Sequence, residues 1–95
     1  MDELEFQWDE SKAAANLAKH GVSFLTAAAI FAHEIVERID DREDYGELRH
    51  IALGRVDMNV FRVVFTWRGE KGVRIISAQK ANKHERDIYY REVLA

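Results

Sequence analysis

Hydrophobic and polar positions alternate in two distinct rhythms along this chain. Phe6-Gln7-Trp8 has the two-residue period of a short strand. Asp9 follows as an N-cap with Glu10 in the first turn, and Lys12 to His20 then reads as an alanine-rich helix with Leu17 as its core contact. Lys19 and His20 lie in its last turn, where cations suit the helix dipole, and Gly21 suits a left-handed C-cap. Ser23 caps a second helix running from Phe24 to about Ala32. Phe24, Ala27, Ala28 and Phe31 fall on one face of it. That helix is uncharged until His33, which makes it a core element and not the basic second helix of a helix-turn-helix DNA reader.

The rhythm then changes to period two. Strands are expected at Ile35–Asp40, Leu48–Val56, Val60–Trp67 and Val73–Ala78. Asp41–Glu47, Asp57–Asn59 and Arg68–Gly72 form the turns between them. Asn82 with Glu85 three residues on has the form of a capping box opening a last helix to about Leu94. The order β-α-α-β-β-β-β-α describes an α+β fold: an antiparallel sheet of four to five strands, helices packed on one face, the other face partly open.

Length and charge narrow the function. At 95 residues the chain is expected to be one domain, 1–95. It lacks cysteine, which excludes disulfides and thiolate chemistry. Its longest apolar run, Ala27 to Ala32, is far short of the roughly 18 residues of a membrane span. The opening Met-Asp-Glu-Leu-Glu does not read as a signal peptide, so a cytoplasmic setting and no membrane partner are expected. The net charge of −3 hides an asymmetry: residues 1–47 hold four basic and twelve acidic side chains, residues 48–95 ten basic and five acidic. A basic surface patch is therefore expected from the second half.

Alternation suggests where that patch lies. If Phe61, Val63, Phe65 and Trp67 face the core, Arg62 faces away. If Ile51 and Leu53 face the core, His50 faces away with Ala52. Arg74 and Lys80 share a face of the next strand, so the open face is expected to collect His50, Arg62, Arg74 and Lys80. A single bulge would reverse part of this assignment. Such cations suit a phosphodiester, because arginine forks onto phosphate oxygens and stabilises added negative charge. RNA carries its own nucleophile, the 2′-hydroxyl, so cleavage needs only a base, an acid and cations. The four histidines show no metal-ligand spacing, and no metal or other cofactor is expected. Taken singly, these residues have ordinary structural uses. Exposed arginines are common, His20 and Glu85 suit helix ends, Tyr89 and Tyr90 suit one packing and one half-exposed ring, and Trp8 and Trp67 suit anchoring.

Several blocks together resemble a known family. Phe6-x-Trp8-Asp9-x-x-Lys12, Asn16-x-x-Lys19-His20-Gly21-Val22-x-Phe24, Arg74-Ile75-Ile76-Ser77-Ala78, Lys80-Ala81 and Glu85-x-x-x-Tyr89 are similar to the BrnT toxins over nearly the whole chain. The resemblance implies a RelE-like α+β fold, a ribonuclease toxin that inhibits translation, and a ribbon-helix-helix antitoxin, BrnA, whose complex with the toxin binds operator DNA. It matches Lys12, Lys19, His20, Arg49, Arg74, Ser77, Lys80, Glu85 and Tyr89. With the alternation argument this makes Arg74, Lys80, Glu85, Tyr89 and His20 the expected catalytic residues, and Lys19, Arg49, His50 and Arg62 the expected RNA-binding ones. Gln79 stands where the family usually has arginine. The expected activity is metal-independent endoribonuclease cleavage. The alternatives are a non-catalytic nucleic-acid- or protein-binding module acting as co-repressor, and a purely structural carrier of the antitoxin.

Overall fold

A computed structural model describes residues 3–94. Met1 and Asp2, which open the stretch read above as lacking a leader, and Ala95 lie outside the described residues. The elements follow the expected order: β1 (Glu5–Gln7), α1 (Glu10–His20), α2 (Phe24–Ala29) running into a 3-10 turn (Ile30–Ala32), β2 (Ile35–Asp40), β3 (Arg49–Val56), β4 (Asn59–Arg68), β5 (Gly72–Lys80) and α3 (Lys83–Val93). The caps act as the sequence implies. Asp9 accepts from the Lys12 backbone N–H, Gly21 closes α1 at φ 70° in the left-handed region, and Asn82 with Glu85 forms a reciprocal capping box. No described helix is long and apolar enough to cross a membrane.

The five strands form one sheet ordered β1-β5-β4-β3-β2. The β2 to β5 meander is antiparallel as expected, but β1 pairs parallel to β5, so the sheet is mixed. Joining β1 to β5 puts the chain's start at the far edge, and α1 and α2 then cross back over the sheet.

Helices lie on both faces, not one. The first face carries Ala52, Phe61, Val63, Phe65, Val73, Ile75 and Ala78, packed with Val22, Phe24, Ala27 and Ile30 in the main core. The second face carries Val36, Leu53 and Val60, covered by Tyr89 and Ile88 of α3. A long C-terminal helix after the last strand can fold to either side, and the aliphatic side chains available on the second face decide it.

The phase of β3 is opposite to the expectation. Ala52 and Gly54 pair with Val63 and Phe61 on the first face, while Ile51 and Leu53 pair with Val64 and Arg62 on the second. The reason is steric. A Cβ on Gly54 would lie 2.6 Å from the Ile30 Cβ, so only small residues fit beneath the 3-10 turn. The large aliphatics of β3 go to the other side, where α3 covers Leu53.

The phase of β5 changes midway. Phe65 pairs with Ile75 but Val64 with Ser77, leaving Ile76 as an extra, bulged residue. Arg74 therefore points to the second face and Lys80, opposite Phe61, to the first. Leu17 is likewise 51% exposed; α1 turns Asn16 inward instead. The Asn16 amide accepts the Ala78 N–H at 3.1 Å and donates to the carbonyl oxygens of Ala78 (2.8 Å) and Val22 (2.9 Å). A buried amide that completes backbone bonds of β5 is a stronger anchor for α1 than one more apolar contact.

Candidate functional site

The second sheet face collects the arginines. Arg38 of β2, Arg49 and Arg55 of β3, Arg62 and Arg68 of β4 and Arg74 of β5 all fall on it by strand register. α3 covers only one end. Between that helix and the sheet lies a cavity of about 380 Å³ lined by Arg38, Arg62, His84, Glu85, Ile88 and Arg91, among others.

Arg62 and Glu85 join sheet to helix at this cavity. The Arg62 Nε lies 3.1 Å from the Glu85 Oε2, with their side chains 14% and 19% exposed. The other carboxylate oxygen of Glu85 accepts the Asn82 backbone N–H at 2.9 Å. The capping box thus aims a carboxylate, held at both oxygens, into the cavity beside a guanidinium. Arg38 forms an ion pair with Glu92 at the cavity's rim. Hydrogen bonding to Glu92 raises the Arg38 pKa, and the same bond lowers that of Glu92, so both stay charged.

The expected site residues divide. Arg62, Glu85, Arg74 and Arg49 share the second face, and Ser77 joins them opposite Val64. His50 does not. It pairs with Phe65 on the first face, stacks on that ring with centroids 5.5 Å apart, and its Nδ1 lies 2.9 Å from a Glu37 oxygen that also accepts the Trp67 indole N–H at 3.3 Å. Lys80 is exposed at the end of β5, beyond the bulge, with Phe61 as its cross-strand partner. Lys12, Lys19 and His20 belong to α1, which packs on the first face.

Tyr89 is buried among Val36, Leu53 and Val60, and its hydroxyl donates to the Glu34 carbonyl at 3.1 Å. Burial raises its pKa. Its ring reaches a different hollow, of about 360 Å³, with His33, Glu34, Arg55 and Asp57. Tyr90 is half-buried and meets Tyr89 edge-on.

Four charged or titratable cavity residues escaped the sequence reading: Arg38, His84, Arg91 and Glu92. The signal was present for the helix, since His84, Ile88 and Arg91 recur at helical spacing on one side. Arg38 shares its face with Val36 by the alternation of β2.

At its far end the second face is built differently. Asp40 is buried and accepts from Arg42 Nε at 2.7 Å, from a second Arg42 nitrogen at 2.8 Å and from the Tyr45 hydroxyl at 3.2 Å. The hydrogen bonds from Arg42 hold its pKa down at about 2 despite burial. The Arg49 guanidinium lies 4.1 Å over the Tyr45 ring.

Comparisons with known proteins bear on this arrangement. A solved structure, the ribonuclease toxin BrnT of Brucella abortus, superposes with a TM-score of 0.63 at 24% identity, covering 84% of this chain and 99% of that one. At that identity the likeness is one of fold. No curated protein sequence matches the chain closely. The family model described as ribonuclease toxin, BrnT, of type II toxin-antitoxin system matches residues 8–85, from Trp8 through the capping-box Glu85. The chain therefore belongs to the BrnT family of ribonuclease toxins of type II toxin–antitoxin systems.

Proposed function

We propose that this protein is a metal-independent endoribonuclease whose chemistry takes place in the cavity between the second sheet face and α3. The observation that carries the reading is the Arg62–Glu85 pair, half-sequestered at 3.1 Å in a cavity lined by further cations. In the reaction the RNA 2′-hydroxyl attacks the adjacent phosphorus. Glu85 takes the hydroxyl proton as the O–P bond forms. Arg62 stabilises the charge that develops on the phosphoryl oxygens, and His84 delivers a proton to the departing 5′-oxygen as the second O–P bond breaks. The products are a 2′,3′-cyclic phosphate and a 5′-hydroxyl. Arg74 and Arg49, on the same face, attract the rest of the polyanion.

Cleavage of cellular RNA would inhibit translation in the cytoplasm. The antitoxin is of the BrnA ribbon-helix-helix type; the toxin meets operator DNA only through its complex with that antitoxin, which neutralises it by covering the basic face with acidic or apolar side chains. One observation favours a second reading, RNA or protein binding without cleavage as a co-repressor: both Glu85 oxygens are already engaged.

The test is incubation of the purified chain with labelled single-stranded RNA in EDTA, beside Arg62→Gln and Glu85→Gln. Glutamine preserves the capping box, so the second variant keeps the helix cap. Cleavage by wild type alone, with a cyclic phosphate end, is the expected result. Retained cleavage by Glu85→Gln would remove the proposed base. RNA binding by wild type without cleavage would turn the assignment to the binding module.

A further inference from the structure

A second feature of the arginine face is not used by that chemistry. Thr66 of β4 is 2% exposed, and its Oγ1 has no hydrogen-bond partner among the described residues. On one side its register partner is Arg74. On the other side, pairing of His50 with Phe65 places Arg49 alongside it. The Arg49 Nε is also buried and without a hydrogen-bond partner; its nearest carboxylate oxygen, on Glu47, is 3.7 Å away. Glu47 also receives Arg68 at 3.1 Å. Arg74 donates to the neutral Gln7 side chain at 3.1 Å and forms no ion pair among the described residues.

Two buried, unsatisfied polar atoms on neighbouring strand positions are costly, and the surrounding charge is in positive surplus. A valine would fill the Thr66 position on a dry strand without that cost. Arginine forks beside a hydroxyl are the donor set that fits a phosphate. We infer that Arg49, Thr66 and Arg74 form a phosphate subsite for a nucleotide flanking the scissile one. Thr66 is buried, with the Arg49 guanidinium over the Tyr45 ring and that of Arg74 on Gln7, so the subsite requires these side chains to turn onto the anion as it binds.

This deepens the ribonuclease reading and rests on it. Thr66 lies four residues along β4 from Arg62, about 13 Å at the rise of a strand. One phosphate cannot serve both points. The protein therefore requires a strand with a phosphate beyond the scissile one, and a dinucleoside monophosphate is a poor ligand.

The experiment measures binding of a 2′-O-methyl pentanucleotide, which cannot be cleaved, to wild type, Thr66→Val and the Arg49→Gln, Arg74→Gln double variant at several salt concentrations. Thr66→Val is expected to weaken binding by about three- to tenfold while leaving the thermal midpoint unchanged or higher. The double variant is expected to flatten the salt dependence by about 1.4 in log–log slope, two phosphate contacts on a single strand. A 2′-O-methyl dinucleotide should bind wild type and Thr66→Val alike. Unchanged affinity in Thr66→Val together with an unchanged slope in the double variant would falsify the subsite. Failure of wild type to bind the pentanucleotide would overturn the RNA substrate itself. In that case a thermal shift by inorganic phosphate, present in wild type and absent in Thr66→Val, shows that the anion site survives the loss of that reading, and its absence removes the site too.

Discussion

The two faces of one sheet do opposite work. The first buries Phe61, Val63, Phe65, Val73 and Ile75 beneath α1, α2 and the 3-10 turn, with rings packed edge to face: Phe31 on Phe65 at 5.1 Å and Phe65 on Trp67 at 5.4 Å. The second carries six arginines and is covered only at one end, by α3. The first face supplies the larger apolar core, while the second combines a smaller apolar cluster with arginines, several of them paired to Glu47, Glu85 and Glu92. A histidine on the first face, His50, is accordingly absorbed into packing, whereas an arginine on the second face of the adjacent strand, Arg62, borders a cavity.

Breaking the first face should have the largest effect. Phe65→Ala is expected to cost about 3–5 kcal/mol and, in a domain this small, most of the folded population at physiological temperature. Urea denaturation measures it. Gly54→Val should cost about 2–3 kcal/mol for its clash with Ile30, although valine is a better strand former; a gain in stability would mean the 3-10 turn does not sit on that position.

On the second face the largest effect should appear in activity and not in folding. Arg62→Gln is expected to lower the single-turnover cleavage rate by about 100-fold with less than about 1 kcal/mol change in stability. Lys80→Ala, beyond the bulge, should leave the rate within about twofold. Equal losses in both variants would undo the distinction between the faces.

Asp40 gives a pH test at the far end of the second face. Its folded pKa is depressed to about 2 by Arg42. Its contribution to stability is therefore present above the ordinary aspartate value near 4, and is lost as pH falls through about 2. Asp40→Asn should remove about 1–2 kcal/mol at neutral pH and flatten the melting temperature between pH 4 and 2. The smallest effect is expected for Tyr89→Phe, about 1 kcal/mol from the lost bond to the Glu34 carbonyl. Its cleavage should stay near wild type, since Tyr89 faces a hollow other than the proposed site.

Much of the architecture was legible in local chemistry. Caps at Asp9, Ser23 and Asn82, a left-handed glycine at position 21, and period-two runs each name an element without reference to any other. The capping box fixed Glu85 at the start of α3, because a cap determines where its side chain stands. The motif blocks carried the family, since short backbone approaches and anchors such as Asn16 constrain residue types locally.

What the tertiary structure alone decided is phase. Alternation states that neighbours on a strand point oppositely; it does not state which set meets the core, because both sides of this sheet bury apolar side chains. Ile30 pressing on Gly54 set the phase of β3 and moved His50 away from the arginines. The bulge at Ile76 separated Lys80 from Arg74. The fold of α3 onto the second face brought His84 and Glu85 to Arg38 and Arg62 across long sequence separations. Each of these is a contact between distant segments, and a pattern of local period contains no term for it.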